Sequence, residues 1–165
     1  MTNPHYRCIY TYMTEYLDKA EAALLRDVAD SCLCFKARKA AREITRFYDR
    51  HFGKAQIEPT QFNILAAIRL SQPVPLTHLA EILGLERTTF TRNLALLEKA
   101  GFTESRSGKD SRTRLISLTS AGNRVLKQAL LPWKHAQTKA MSVLGPKNFS
   151  RLSEALSLSS KLNRS

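Results

Sequence analysis

The sequence predicts a mainly helical chain carrying one small antiparallel β-hairpin, and three observations predict it. Apolar residues recur at spacings of three and four, as in Leu33, Ala37, Ala40, Ala41, Ile44, Phe47 and Tyr48. The period changes to alternation only after Gly101, around the turn-forming run Ser107 to Arg112. Gly53, Gly84 and the pair Gly145-Pro146 punctuate the helical stretches.

The length of 165 residues suits one domain with helical extensions and is too short for two large independent domains. Such a chain buries a normal core without disulfide or metal staples. With 43% hydrophobic residues it is neither disordered nor membrane-like, and no apolar run approaches the roughly 18 to 20 residues of a spanning helix. Met1 to Met13 holds no continuous apolar stretch and no small-residue cleavage site, so no secretory signal is expected. The expected location is the cytoplasm, where Cys8, Cys32 and Cys34 are reduced by default. Lys and Arg number 26 against 14 Asp and Glu, and the net charge of +12 favours a polyanionic partner. That charge is uneven: residues 1–30 carry −2, 31–53 carry +4, 54–85 sum to zero, 86–115 carry +3 and 116–165 carry +7.

The elements follow in order. Glu15 to Asp30 reads as a helix with Leu17, Ala20, Leu24 and Val28 on one stripe. A longer helix is expected from about Ser31, as N-cap, to Phe52, with Gly53 as its stop. Its other side carries Lys36, Lys39, Arg42, Arg46 and Arg50, a solvated basic face or the lining for an acidic ligand. Glu58 and Pro59 open a third helix with Phe62, Leu65, Ala66 and Ile68 inward, ended by Gln72-Pro73-Val74-Pro75.

Leu76 to Leu83 and Glu86 to Ala100 form two short helices joined through Gly84. A small residue at Ala80 permits a close crossing, and Gly84 permits the positive φ of a tight turn, so the pair reads as a helix-turn-helix. Phe90, Leu94 and Leu97 make the buried stripe of the second helix. Thr88, Thr91, Arg92 and Ala95 lie opposite, flanked by Arg87 and Thr89. Short hydroxyls and guanidinium groups at a helix N-terminus suit the major groove of DNA. Thr103 to Arg106 and Thr113 to Leu118 are the strands of a β-wing, with Ile116 and Leu118 inward. The wing cations Arg106, Lys109, Arg112 and Arg114 suit a phosphate backbone or a narrow minor groove. Thr119 caps a helix from Ser120 to about Leu144, with a kink expected at Pro132. Asn148 to Leu162 is a last amphipathic helix.

The terminal helical regions hold more apolar surface than one small winged core can cover, which predicts pairing between two chains. The resulting division is a partly helical lead over 1–30, a dimerisation helix over 31–56, a winged helix-turn-helix lobe over 57–118 and C-terminal dimerisation helices over 119–165.

The segment Leu79 to Phe102, with Leu76 before it, and the wing Lys109 to Gly122 resemble the MarR family of transcriptional regulators. The wing's Asp110-x-Arg112 followed by Leu118-Thr119 and Gly122 narrows the resemblance most. It covers about residues 31–162, and the lead to Asp30 departs from the shortest family pattern. The resemblance implies an obligate homodimer on double-stranded DNA with a pseudo-palindromic operator, usually repressing until a signal releases it. It further implies that Arg112 is a minor-groove arginine, that Asp110 holds wing and recognition helix in register, and that Arg92 contacts backbone. Arg87, Thr88, Thr89 and Thr91 then fall among the base and phosphate contacts. A pocket for a small aromatic or phenolic effector is implied too, with Phe47, Tyr48, His51 and Trp133 as candidates by type and rough location.

Cys32 and Cys34 are candidate redox residues, since a helix start is the usual setting of a reactive thiol. On one helix they would point about 200° apart, which prevents a shared site without local unwinding. The alternative is a pair of small reduced residues. The four histidines form no ligand-spaced pair, so no metal is expected. There is no Gly-rich phosphate loop, no GxSxG motif and no expected cofactor, so an enzyme is not the reading. The competing function is a non-specific basic architectural nucleic-acid-binding protein, which would bind any duplex equally.

Overall fold

The computed structural model describes residues 18–53, 55–108, 110 and 113–163. It divides into two compact units, Met1–Ile44 and Thr45–Ser165, with the division inside a continuous helix.

In the first unit, α1 spans Lys19–Ser31. Asp18 caps it by accepting the Glu21 N–H at 2.8 Å, and the predicted start at Glu15 lies outside the described residues. The next helix, α2, spans Leu33–Phe52. Ser31 is not its N-cap. The Ser31 hydroxyl turns back to Asp27, at 2.9 Å from the carbonyl and 2.7 Å from the carboxylate, and so closes α1. Cys32, at φ −58° and ψ 111°, is the non-helical joint. No residue of α1 is buried.

The second unit contains the core. The third helix, α3 (Pro59–Ser71), opens with Pro59 in its first turn, and the Gln61 side chain accepts the Glu58 N–H at 3.0 Å. Phe62, Leu65 and Ile68 are buried as expected and Ala66 partly so. Ile64 and Ala67 are buried as well, because this helix has neighbours on several sides. After it comes a two-residue strand, β1 (Val74–Pro75), where the sequence predicted only a break. It precedes α4 (Leu76–Leu83), α5 (Arg87–Lys99), β2 (Thr103–Ser107) and β3 (Arg114–Leu118). The sheet order is β1-β3-β2, antiparallel throughout, with Val74 opposite Ile116 and Thr103 opposite Leu118.

Gly84 takes φ +58°, the left-handed conformation that ends α4 and turns the chain into α5. Phe90, Leu94 and Leu97 are at most 1% exposed and meet Leu79, Ile116 and Val125 in one core. Thr119 caps α6 (Ser120–Leu144), accepting the Gly122 N–H at 3.0 Å and donating its hydroxyl to the Gly101 carbonyl at 2.6 Å. This helix runs continuously through Pro132. Gly145, at φ +77°, separates it from α7 (Pro146–Leu158), which starts two residues before the predicted Asn148 and passes into a 3₁₀ turn over Ser159–Asn163. Among the described residues no helix is long and apolar enough to cross a membrane.

Candidate nucleic-acid interface

The buried stripe of α5 fixes which of its residues face solvent. With Phe90, Leu94 and Leu97 inward, Arg87, Thr88, Thr89, Thr91, Arg92 and Ala95 are all exposed, the arrangement the period predicted. Glu86 organises the start of this face. Its carboxylate accepts the backbone N–H groups of Thr88 at 3.0 Å and Thr89 at 3.2 Å, and also the Thr88 hydroxyl. The Thr88 hydroxyl, then the Thr88 and Thr89 N–H groups, hold the Glu86 carboxyl below its ordinary range.

The hydroxyls have defined polarity. Thr88 donates to a carboxylate, and Thr91 donates to the Arg87 carbonyl at 2.8 Å. Neither acceptor group can donate, so each hydroxyl proton is used and the hydroxyl oxygen has only lone pairs left to offer. Such a surface accepts from base amines or packs on a thymine methyl. Arg87 and Arg92 are exposed and make no hydrogen bond or ion pair among the described residues, so their guanidinium groups are available to an anion.

The wing cations behave differently from one another. Arg106 pairs with Glu104 on its own strand at 2.8 Å. Arg114 crosses to the recognition helix, its Nη2 lying 2.8 and 2.9 Å from the two oxygens of Glu98. Asp110 is exposed, and its carbonyl accepts the Thr113 N–H at 2.9 Å in the turn. Lys109 and Arg112 lie outside the described residues.

Phe47 lies against both Tyr48, ring centroids 5.6 Å apart, and His51. The His51 ring lies 4.5 Å from that of Phe47, and its Nδ1 is 2.8 Å from the Phe47 carbonyl. Tyr48 donates its hydroxyl to Gln137 across to α6, and burial pushes its phenol pKa up. Trp133 stacks on Phe62, centroids 6.1 Å apart, so it belongs to the packing around α3. Among the recesses bounded by described residues, His51 lines two. One of about 580 Å³ is bounded by His51, Leu131, Lys134, His135, Thr138, Lys139 and Ser142. Another of about 360 Å³ lies between His51, Phe52, Gln56, Val125, Gln128 and Pro132. Sequence position suggested Trp133 but not Lys134 or Lys139, one and six positions further along the same helix.

Cys32 is half-buried at the joint and Cys34 is exposed in the first turn of α2. The two do not share one helix, so the 200° separation does not apply to them. Cys8 lies outside the described residues. Among the described residues no group of three His, Cys, Asp or Glu is placed to hold a metal ion.

Residues 55–113 match the family model described as the MarR family. The chain is 33% identical to the M. tuberculosis transcriptional regulator MosR solved in complex with DNA, with a TM-score of 0.71 over 82% of this chain and 100% of that one. The chain belongs to the MarR family. It is therefore a DNA-binding transcriptional regulator, with α4 and α5 as its helix-turn-helix and β2–β3 as its wing. The MarR fold likeness extends to the transcriptional repressor CouR bound to a 23-mer DNA duplex, at 21% identity and TM-score 0.73 over 81% of this chain and 95% of that one. It extends also to PcaV from Streptomyces coelicolor in complex with its natural ligand, at 17% identity and TM-score 0.73 over 82% and 95%. The chain matches no curated protein sequence.

Two residues of this candidate interface carry no role in the sequence analysis. Glu86 precedes the helix by one position, and acidic N-caps at helix starts were a usable signal. Glu98 is separated from Arg114 by 16 positions, so no local pattern connects them.

Proposed function

We propose that the protein is a homodimeric repressor reading a pseudo-palindromic operator. The α5 helix of each protomer enters a major groove, with half-site centres about one turn (~10 bp) apart. The observation that carries this reading is the exposed face of α5. Arg87 and Arg92, without a partner among the described residues, flank threonine lone pairs there, backed by a fully buried stripe. Arg87, Thr88, Thr89, Thr91 and Arg92 are the proposed groove contacts. Lys109 and Arg112 reach the adjacent minor groove, Asp110 holds wing and recognition helix in register, and Arg106 lies beside the backbone.

Dimerisation is supported by apolar side chains left in solvent on both flanks. They include Leu24, Val28, Leu33 and Phe35 before the lobe, and Val143, Leu152, Leu156 and Leu162 after it. The proposed division remains a lead over 1–30, a dimerisation helix over 31–56, the lobe over 57–118 and C-terminal dimerisation helices over 119–165.

Release is proposed to come from a small aromatic or phenolic effector in the recesses beside His51, or from oxidation at Cys32 and Cys34. The cationic lining from Lys134 and Lys139 favours an effector bearing negative charge. Cys34 is exposed and open to an oxidant.

The test is selection from random duplexes at near-physiological salt. An enriched inverted repeat with centres about one turn apart is the expected result. Binding without enrichment, simply fading as salt rises, would instead make +12 an undirected charge and the protein an architectural binder.

A further inference from the structure

We infer that Glu98 is a positioning residue for DNA recognition: its carboxylate latches Arg114, at the turn end of the wing's paired strands, to the recognition helix. Arg114 then sets where the wing points instead of contacting phosphate. The inference rests on the proposed reading in which the wing enters a groove beside α5.

Glu98 is the penultimate residue of α5 and Arg114 the first residue of β3. Both oxygens of the carboxylate lie within 2.9 Å of one guanidinium nitrogen. The Glu98 side chain is only 25% exposed and that of Arg114 49%, so water screens this pair less than an open surface pair. Arg114 stands opposite Ser107, where both strands leave the sheet for the turn carrying Asp110. The other end of the hairpin is fixed separately. Thr119 donates its N–H to the Phe102 carbonyl at 3.1 Å, and Gln72 accepts the Leu118 N–H at 2.8 Å. The wing is thus anchored at its base by hydrogen bonds, and its outer end is tied to α5 by an ion pair. Arg106 provides no such tie, because its acid is on its own strand.

Charge alone and positioning predict opposite signs for one substitution. A carboxylate on a DNA-binding helix repels any duplex, so its removal should tighten binding to every sequence. If it aims the wing, its removal should weaken the operator and spare or strengthen a scrambled duplex.

The experiment compares Kd for the selected operator and for a scrambled duplex of equal length, over a salt series. The proteins are the parent, Glu98→Gln, Arg114→Gln, the exchanged pair Glu98→Arg with Arg114→Glu, and Arg112→Ala. The operator-to-scrambled ratio is taken within each protein, which cancels any loss of folded fraction. Glu98→Gln and Arg114→Gln are each expected to lower that ratio roughly threefold to tenfold, and the exchanged pair to restore most of it. The salt slope of Arg114→Gln should equal the parent's. An unchanged ratio in Glu98→Gln overturns the latch. So does failure of the exchanged pair, or a slope in Arg114→Gln shallower by about 0.9 per lost phosphate contact. Arg112→Ala separates the two levels. If it binds the operator like the parent, or if selection yields no operator, the wing reading fails and takes the latch with it. If it loses affinity while Glu98→Gln keeps its ratio, the latch alone is wrong.

Discussion

Gly122 lies so close to Phe102 that a Cβ added to the glycine would sit 1.9 Å from the Phe102 carbonyl oxygen. Gly122 is in the first turn of α6, and Phe102 joins the recognition helix to the wing. The contact is therefore where the helix following the lobe presses on the pivot of the DNA-reading elements. Backbone meets backbone there, and neither partner can swing aside as a side chain would.

Gly122→Ala should accordingly destabilise the fold by about 2–3 kcal/mol, the upper part of the range for overpacking. For a chain of this size that lowers Tm by roughly 5–10 °C. Thermal unfolding followed by circular dichroism checks it. A Tm within a degree of the parent would mean that α6 shifts freely against Phe102.

Arg92 gives a prediction of the opposite kind. It is exposed and has no partner among the described residues, so Arg92→Ala should leave Tm unchanged within about 1 °C. Operator affinity should fall by about 1–3 kcal/mol if it contacts DNA, with a shallower salt slope. Matched melting curves and salt titrations read both. Parental affinity in a folded variant would remove Arg92 from the interface.

The contrast between these residues shows what was legible beforehand. Gly84, Phe90, Leu94 and Leu97 declare the helix-turn-helix because turn chemistry and helical period act over a few residues. Gln72 to Pro75 looked like a plain break, since Val74 becomes a strand only through Ile116, far down the chain. Ser31 is a good N-cap by type, yet Asp27 lies one turn earlier and captures its hydroxyl. The stacking of Trp133 on Phe62 joins residues 71 positions apart, which no local pattern reveals. The exposed threonines of α5 were legible from its helical period. The Glu98–Arg114 pair, being tertiary, was not.

Glu86 makes a pH prediction whose direction follows from its depressed pKa. The carboxylate is held by the Thr88 hydroxyl and the Thr88 and Thr89 N–H groups, and unfolding releases it to its ordinary value of 4.5. The unfolded chain therefore binds the proton first as pH falls. The stabilisation is complete above the ordinary value and is lost as pH drops through the lower folded one. Glu86→Gln should melt below the parent at pH 7, and the gap should narrow progressively below pH ~4.5. A gap independent of pH over that window would show that the amide's geometry, not the lost charge, is responsible.

The last prediction concerns the proposed seam between protomers. On α7 and the turn after it, Leu152, Leu156, Leu158 and Leu162 are 37–66% exposed. Monomeric proteins scatter single apolar residues on their surfaces but seldom align several along one helix. None of these leucines belongs to the lobe's buried core, so replacing them leaves that core intact. The double substitution Leu152→Glu with Leu156→Glu should convert the protein to a monomer at micromolar concentration. Facing charges across a two-fold seam are repeated in both protomers, so each substitution acts twice. Operator affinity should fall steeply, since one recognition helix loses its tethered twin, while a single half-site is bound about as before. Sedimentation equilibrium and binding to whole and half operators measure the two effects. A stable dimer with parental operator affinity would place the seam elsewhere, leaving the exposed apolar residues of α1 and α2 as the surface to test.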